Sequence, residues 1–404
     1  MIKYKFHWLF LISMLCINMA KSQESKLNVF TMDRNALEIN KAKLKKNDPK
    51  LLPSYEKLLS VADEALAVKE LYTVMEKKQT PPSGDMHDYM TIAIYFWPDP
   101  KKPNGLPYIR RDGEINPETK DYKDKANIGL MIKSVEKLAL AYYFSEDEKY
   151  AEKAVAQIKA WFLDPATKMN PNLNFAQAIK GKNDGRGIGL IESREFVLVI
   201  DAIGLLQHSK YWTLKEQAGM EDWFKAYLEW FSTSKNGIEE MNAKNNHGIW
   251  YDAQKLGFAL FTKNNKAAKA TIESVKERLE AQMDETGFFP LEMERTISLH
   301  YEAFILEPLF WIAQMGSFLN EDLWNYETPK GKSIKKGFEV LVPYLANEKD
   351  WIGQQIKPFE YDEYSSLLAK GYHKYKCSNC LTGFYKNLDK KADQSILHLT
   401  TLID

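Results

Sequence analysis

One spacing recurs along most of this chain and narrows the folds open to it: apolar residues every three or four positions. In SYEKLLSVADEALAVKELYTVMEKK, residues 54–78, Leu58, Ala62, Leu66 and Leu71 fall near one face of a helix and charges near the other. The same pattern predicts helices over 121–145, 148–163, 188–208, 214–233, 247–263, 265–284, 297–317, 332–346 and 360–375. Several are separated only by short polar or glycine-containing links, and the alternating segments of a β-sandwich are absent. The reading is an all-α chain of paired helices, stacked as an open solenoid or closed into an α/α toroid. No repeat of fixed period is visible, which disfavours a regular solenoid. With 404 residues, 45% of them hydrophobic, residues 23–404 can bury a large core as a single domain.

Two stretches break the helical pattern. Residues 79–118, QTPPSGDMHDYMTIAIYFWPDPKKPNGLPYIRRDGEINPE, are rich in proline, glycine, aromatics and charge. Residues 164–194, DPATKMNPNLNFAQAIKGKNDGRGIGLIESR, offer polar donors and Arg186 between two helices. Loops this long in a compact domain are usually functional or disordered, and Tyr89, Tyr95, Phe96, Trp97 and Tyr108 argue against disorder. Both loops are candidate walls of a cleft.

The first 22 residues read as a secretory signal peptide: Lys3 and Lys5, then WLFLISMLCINMA, then AKS, with cleavage near Ser22. The expected location is therefore periplasmic or secreted, with no membrane insertion after signal removal. A lipoprotein reading through Cys16 fits poorly, because Met14 and Leu15 precede it. Cleavage removes Lys3, Lys5 and Lys21 and no acid, leaving a net charge of about −3. Nothing in that balance points to nucleic acid. In CSNC, Cys377 and Cys380 are expected to form a local disulfide in an exported chain. A metal site there lacks a second ligand pair, His373 being the only near imidazole, so no metal or other cofactor is expected.

AKNNHGIWYDAQ, 243–254, places two amides and an imidazole directly before an apolar-periodic run. Asn245 or Asn246 is a candidate helix N-cap, with His247 in the first turn. Capping alone explains one Asn. The helix start also offers N–H groups and partial positive charge, so amide, imidazole and dipole together suit a carboxylate. The second cluster is GFFPLEMERTISLHYEAF, 287–304. Arg295 and Tyr301 are six residues apart, about 240° around a helix, so they cannot share one face. They meet only if Arg295 projects from a loop or first turn and Tyr301 from the helix proper. His300 falls on another face.

Asn, His, Arg and Tyr without paired carboxylates suit β-elimination from a uronic acid. Such an enzyme neutralises the carboxylate, removes the C5 proton and protonates the departing O4. A tyrosine serves as base only if positive charge lowers its pKa from about 10, an effect assigned here to Arg295 and His247. The same hydroxyl can then return the proton to O4.

The two long loops, NNHGIWYDAQ and LEMERTISLHYE together resemble the alginate lyase superfamily of bacterial secreted enzymes. The likeness is nearest to polysaccharide lyase family 38, whose members cleave alginate or glucuronan, and more distant to the family 5 alginate lyases. It spans about 75–310 and extends toward both ends of the mature chain. The resemblance implies an α/α toroid, an incomplete (α/α)6–7 barrel, with its site in the cleft. It puts Asn246 and His247 at the Asn-His positions, Arg295 at the arginine position and Tyr301 at the base/acid tyrosine position. Trp97, Tyr95, His87, Arg186 and His300 become candidate substrate contacts. Glu240, or Glu239 beside it, is a candidate protonated acid facing the substrate carboxylate, or else a solvated helix-end charge.

The implied partner is an anionic polysaccharide, alginate or glucuronan; a homodimer is compatible with such a chain. Mannuronate and glucuronate place the C5 proton and O4 on one face, which suits a single tyrosine. Guluronate places them on opposite faces, where His247 could serve as base. Poly-mannuronate is the first expectation and glucuronan the second. Two rival classes remain: a glycoside hydrolase assembled from Asp184, Glu192, Glu292 or Glu294, and a non-catalytic uronan-binding protein.

Overall fold

The computed structural model describes residues 27–403, so the expected signal peptide and Cys16 lie outside the described residues. Fifteen α-helices are described. The first seven are α1 Arg34–Leu44, α2 Leu52–Ala67, α3 Lys123–Ser145, α4 Glu148–Phe162, α5 Phe196–Leu206, α6 Leu214–Thr233 and α7 Lys235–Met241. There follow α8 Asn246–Phe261, α9 Asn265–Gln282, α10 Pro290–Met293, α11 Ser298–Gly316 and α12 Ile334–Leu345. The last are α13 Ser365–Tyr375, α14 Ser378–Leu388 and α15 Leu397–Thr400.

Helices α3, α5, α8, α11 and α13 touch in succession and form an inner wall. Helices α4, α6, α9, α12 and α14 back onto them from outside. The sequence explains the division. Helix α5, FVLVIDAIGLL, is apolar all round and nearly every residue is buried, as an inner position requires. Helix α4 is amphipathic, burying Tyr150, Ala154, Ile158 and Trp161 while its charges face solvent. The one acid in α5, Asp201, accepts from the backbone N–H groups of Phe30, Thr31 and Met32 at 2.5, 3.0 and 3.2 Å. The all-α toroid is thus the fold observed.

The long loops are tied together by short strands. β1 Met90–Ile92 from the first loop pairs in parallel with β4 Phe175–Ala178 from the second. β2 Phe96–Trp97 and β3 Ile109–Arg110 form an antiparallel pair within the first loop. Two helical expectations are shortened. Residues 54–78 do not form one helix, because Gln157 of α4 brackets the Tyr72 backbone. Its side chain accepts from Tyr72 N at 2.9 Å and donates to Tyr72 O at 2.8 Å. Residues 188–208 divide into a 3-10 segment, Gly187–Ser193, and α5. That segment lies so close to β4 that a Cβ on Gly189 would come within 2.6 Å of Ala176. Helices α1, α7, α10, α14 and α15 lie outside the ranges that periodicity predicts. The Cys377–Cys380 disulfide is present, at the start of α14. No described helix is long and apolar enough to cross a membrane.

Candidate active site

At one end of the lumen a cavity of about 620 Å³ opens where inner-wall helices begin. Lys125 in the first turn of α3, Arg194 just before α5, Asn246 and His247 opening α8, and Tyr301 in the first turn of α11 all line it. Helix N-termini carry partial positive charge and unsatisfied N–H groups, so their convergence with these cations favours an anionic ligand. The loops complete the wall: Tyr95, Phe96 and Arg110 from the first, Gln177 and Arg186 from the second.

The start of α8 departs from a simple cap. Asn245 occupies the N-cap position, but its side chain makes no capping hydrogen bond. Glu292 of α10 supplies the acceptors, taking Asn246 N at 2.6 Å and Asn246 Nδ2 at 2.8 Å. Burial raises the Glu292 carboxyl above its ordinary range, opposed by those two hydrogen bonds and by the charges of Arg295 and His247. His247 Nδ1 lies 2.6 Å from Glu240 Oε1. A carboxylate there holds the proton on Nδ1 and leaves Nε2 as the basic nitrogen. Gly248 completes the motif: any Cβ there would meet the Arg278 guanidinium at 2.3 Å. Arg278 crosses this turn to donate to Ala243 O at 2.7 Å and to Asp252 Oδ2 at 2.7 Å.

Arg295 projects from the loop after α10 while Tyr301 points from α11, and the two meet. Arg295 Nη2 donates to the Tyr301 hydroxyl at 2.7 Å, and the guanidinium lies 3.6 Å from the ring centroid. The Tyr95 hydroxyl is 3.2 Å from that of Tyr301. The expected lowering of the tyrosine pKa is not observed. Burial drives the phenol well above its ordinary value, and Tyr95 adds to the rise. Arg295 pulls the other way, but Asp112 from the first loop engages it at 2.9 and 3.2 Å and offsets its charge. His247 is not among the largest influences on Tyr301. Beside it, burial and the charges of Arg295 and Arg194 lower His300 to about 4, leaving a neutral ring whose Nδ1 is 2.7 Å from the Tyr364 hydroxyl.

Of the residues singled out from sequence, Asn246, His247, Arg295, Tyr301, Tyr95, Arg186 and His300 line the one cavity. Arg186 donates to Gln177 O at 3.1 Å and Gln177 Oε1 at 2.9 Å. Three do not line it. Glu240 sits buried behind His247 and orients the imidazole in place of a substrate contact. Trp97 turns its indole N–H to Glu114 O at 3.0 Å and its ring face to Arg111. His87 is held by Lys168 O at 2.6 Å, away from the cavity. Sequence reading missed Asp112 and Gln177, which carry no local motif. It considered Glu292 only as a hydrolase acid.

The acids a hydrolase needs are otherwise engaged. Glu192 lines the cavity but accepts from Tyr89 Oη at 3.0 Å and Thr91 Oγ1 at 2.7 Å. Glu292 is bound to Asn246, and neither Asp184 nor Glu294 lines the cavity. Among the described residues no three His, Cys, Asp or Glu side chains converge as a cation site would need.

An alginate lyase from Bacteroides ovatus shares 39% identity, with a TM-score of 0.86 over 93% of this chain and 99% of that one. An alginate lyase A1-III variant complexed with a tetrasaccharide matches in fold, at 15% identity and a TM-score of 0.60 over 94% and 98% of the two chains. Alginate lyase A1-III from Sphingomonas species A1 matches at 14% identity and 0.53, over 88% and 97%. No curated protein matches the chain significantly. The model of the family described as Alginate lyase matches residues 73–351, a span that contains every cavity-lining group named above. The chain belongs to the alginate lyase family.

Proposed function

We propose that this protein depolymerises a 1,4-linked polyuronate, alginate first, by β-elimination at the cavity where the inner helices begin. One observation carries the reading: the Tyr301 hydroxyl, bound by Arg295, and the free Nε2 side of His247 border the same cation-lined space. Asn246, His247 and Arg295 hold the uronate carboxylate and stabilise the enolate as charge moves onto it. The C5–H bond breaks, its electron pair forms the C4=C5 double bond, and the C4–O4 bond breaks. Tyr301 delivers the proton that O4 needs.

The base depends on the sugar. For mannuronate, with the proton and O4 on one face, Tyr301 takes both roles, as base only to the extent that Arg295, which donates to its hydroxyl, opposes its burial. For guluronate, His247 Nε2 removes the proton and Tyr301 protonates O4. The high tyrosine pKa favours the second route, because a buried phenol starts as an acid. Both block types are proposed substrates, poly-mannuronate by the single-tyrosine route and poly-guluronate by the His247 route. Glucuronan, which shares the mannuronate arrangement, is the second substrate. The N-terminal signal supports a periplasmic or secreted setting.

The test is ultraviolet absorbance of the unsaturated product from purified protein on poly-mannuronate, poly-guluronate and glucuronan. A rise on alginate blocks is expected. Shortening of the polymer with no rise would mean hydrolysis, and binding without shortening would mean a non-catalytic protein.

A further inference from the structure

Asn246 is turned the wrong way for the role just given to it. Its amide nitrogen donates to Glu292 Oε2 at 2.8 Å, while Oδ1 is buried with no hydrogen-bond partner. An amide that neutralises a uronate carboxylate must present N–H. The end turned away from Glu292 is instead a carbonyl oxygen, which would repel that carboxylate.

Rotating the amide by 180° cures both faults and creates one new one. Nδ2 then faces the substrate and Oδ1 faces Glu292. An ionised Glu292 would oppose Oδ1 with no proton between them. A protonated Glu292 fits: one oxygen still accepts from Asn246 N, now 2.6 Å away, and the other donates to Oδ1. Resting on the proposed role of Asn246, we propose that uronate binding turns the Asn246 amide end for end and that Glu292 takes one proton from solvent to hold it there. Glu292 is thus a positioning residue acting through Asn246.

The surroundings suit a carboxyl that changes state. Glu292 is fully buried. The positive groups acting on it are Arg295 and His247, and each already has its own acid, Asp112 and Glu240. Glu302, on which Glu292 acts as a charge, is raised to about 9, chiefly by burial, and stays neutral near pH 7. Burial alone already pushes Glu292 upward, and an arriving substrate carboxylate pushes it further.

The test uses calorimetric titration of Tyr301→Phe with a mannuronate oligosaccharide, in two buffers of different ionisation heat. Uptake of about one proton per bound chain is expected above the Glu292 titration, with affinity falling about tenfold per pH unit there. In Tyr301→Phe/Glu292→Gln the glutamine amide supplies the same acceptor and donor permanently. The uptake is then lost and affinity no longer follows pH in that window. Absence of uptake in Tyr301→Phe, or equal uptake in both proteins, overturns the proposal. Tyr301→Phe/Asn246→Ala checks the reading beneath it: binding as tight as in Tyr301→Phe would remove Asn246 from the carboxylate and the proposal with it.

Discussion

The lumen holds two cavities of nearly equal size, about 620 Å³ where the inner helices begin and about 630 Å³ farther along them. Helix α11 contributes to both, with Tyr301 and Phe304 in the first and Glu307, Phe310 and Trp311 in the second. Their charges are arranged differently. In the first, Arg295 is locked to Asp112 and Tyr301, His247 to Glu240, and Asn246 to Glu292. In the second, Asp33 is bound by His373 and Lys374, while the side chains of Glu136, Glu307 and Lys370 make no hydrogen bond or close ion pair among the described residues, and Lys370 acts on both acids only as a charge. Volume does not separate the two. What sets the first apart is a tyrosine, an imidazole and a guanidinium held in place around one space, because chemistry needs groups positioned before the substrate arrives.

The strongest way to break this contrast is to damage each end and compare turnover. Tyr301→Phe removes the acid at the first and is expected to lower kcat on alginate by about a thousandfold. Glu307→Gln at the second should leave kcat within about twofold, as expected for a residue remote from the reacting atoms. Equal losses would erase the distinction. A smaller effect sharpens it: Glu240→Gln frees the His247 ring to take the wrong tautomer, lowering kcat by about 10- to 100-fold, most on poly-guluronate. An equal loss on both polymers would remove His247 as a selective base.

The smallest effects are on stability. Burial raises Glu302 to about 9. Below about pH 4.5 its carboxyl is protonated in both folded and unfolded chains. Above that only the folded chain keeps the proton, so stability declines with rising pH until about 9. Glu302→Gln should therefore raise Tm by about 1–3 °C at pH 8 and leave it unchanged at pH 4. Glu136, raised to about 7 by burial, Glu195 and Asp201, should behave alike over a narrower window ending near pH 7. A destabilised Glu136→Gln at pH 8, read by the same thermal melts, would show that this charge is held by a partner after all.

Much of this was legible in the sequence, for definite reasons. Helix periodicity survives in one dimension, so α3, α4, α6 and α8 were placed within a few residues. The six-residue interval between Arg295 and Tyr301 forced the loop-and-helix geometry the structure shows. What failed depends on long-range contact. Asp112 meets Arg295 from 183 positions away and offsets part of its charge, while burial, the larger cause, holds the Tyr301 pKa up. Glu292 lies 46 positions from the Asn246 it binds. Trp97 and His87 had the right chemistry in the right loop, but a loop's composition does not tell which side chains turn inward. Residues 68–78 continue a helical pattern that Gln157 overrides.

The most direct test is a crystal structure of Tyr301→Phe soaked with a mannuronate tetrasaccharide. Sugar is expected in the cavity at the helix starts. A uronate carboxylate should lie against Asn246, His247 and Arg295, with C5 and O4 facing the ring of residue 301. Sugar bound instead among Glu136, Glu307 and Lys370, with the first cavity empty, would contradict it.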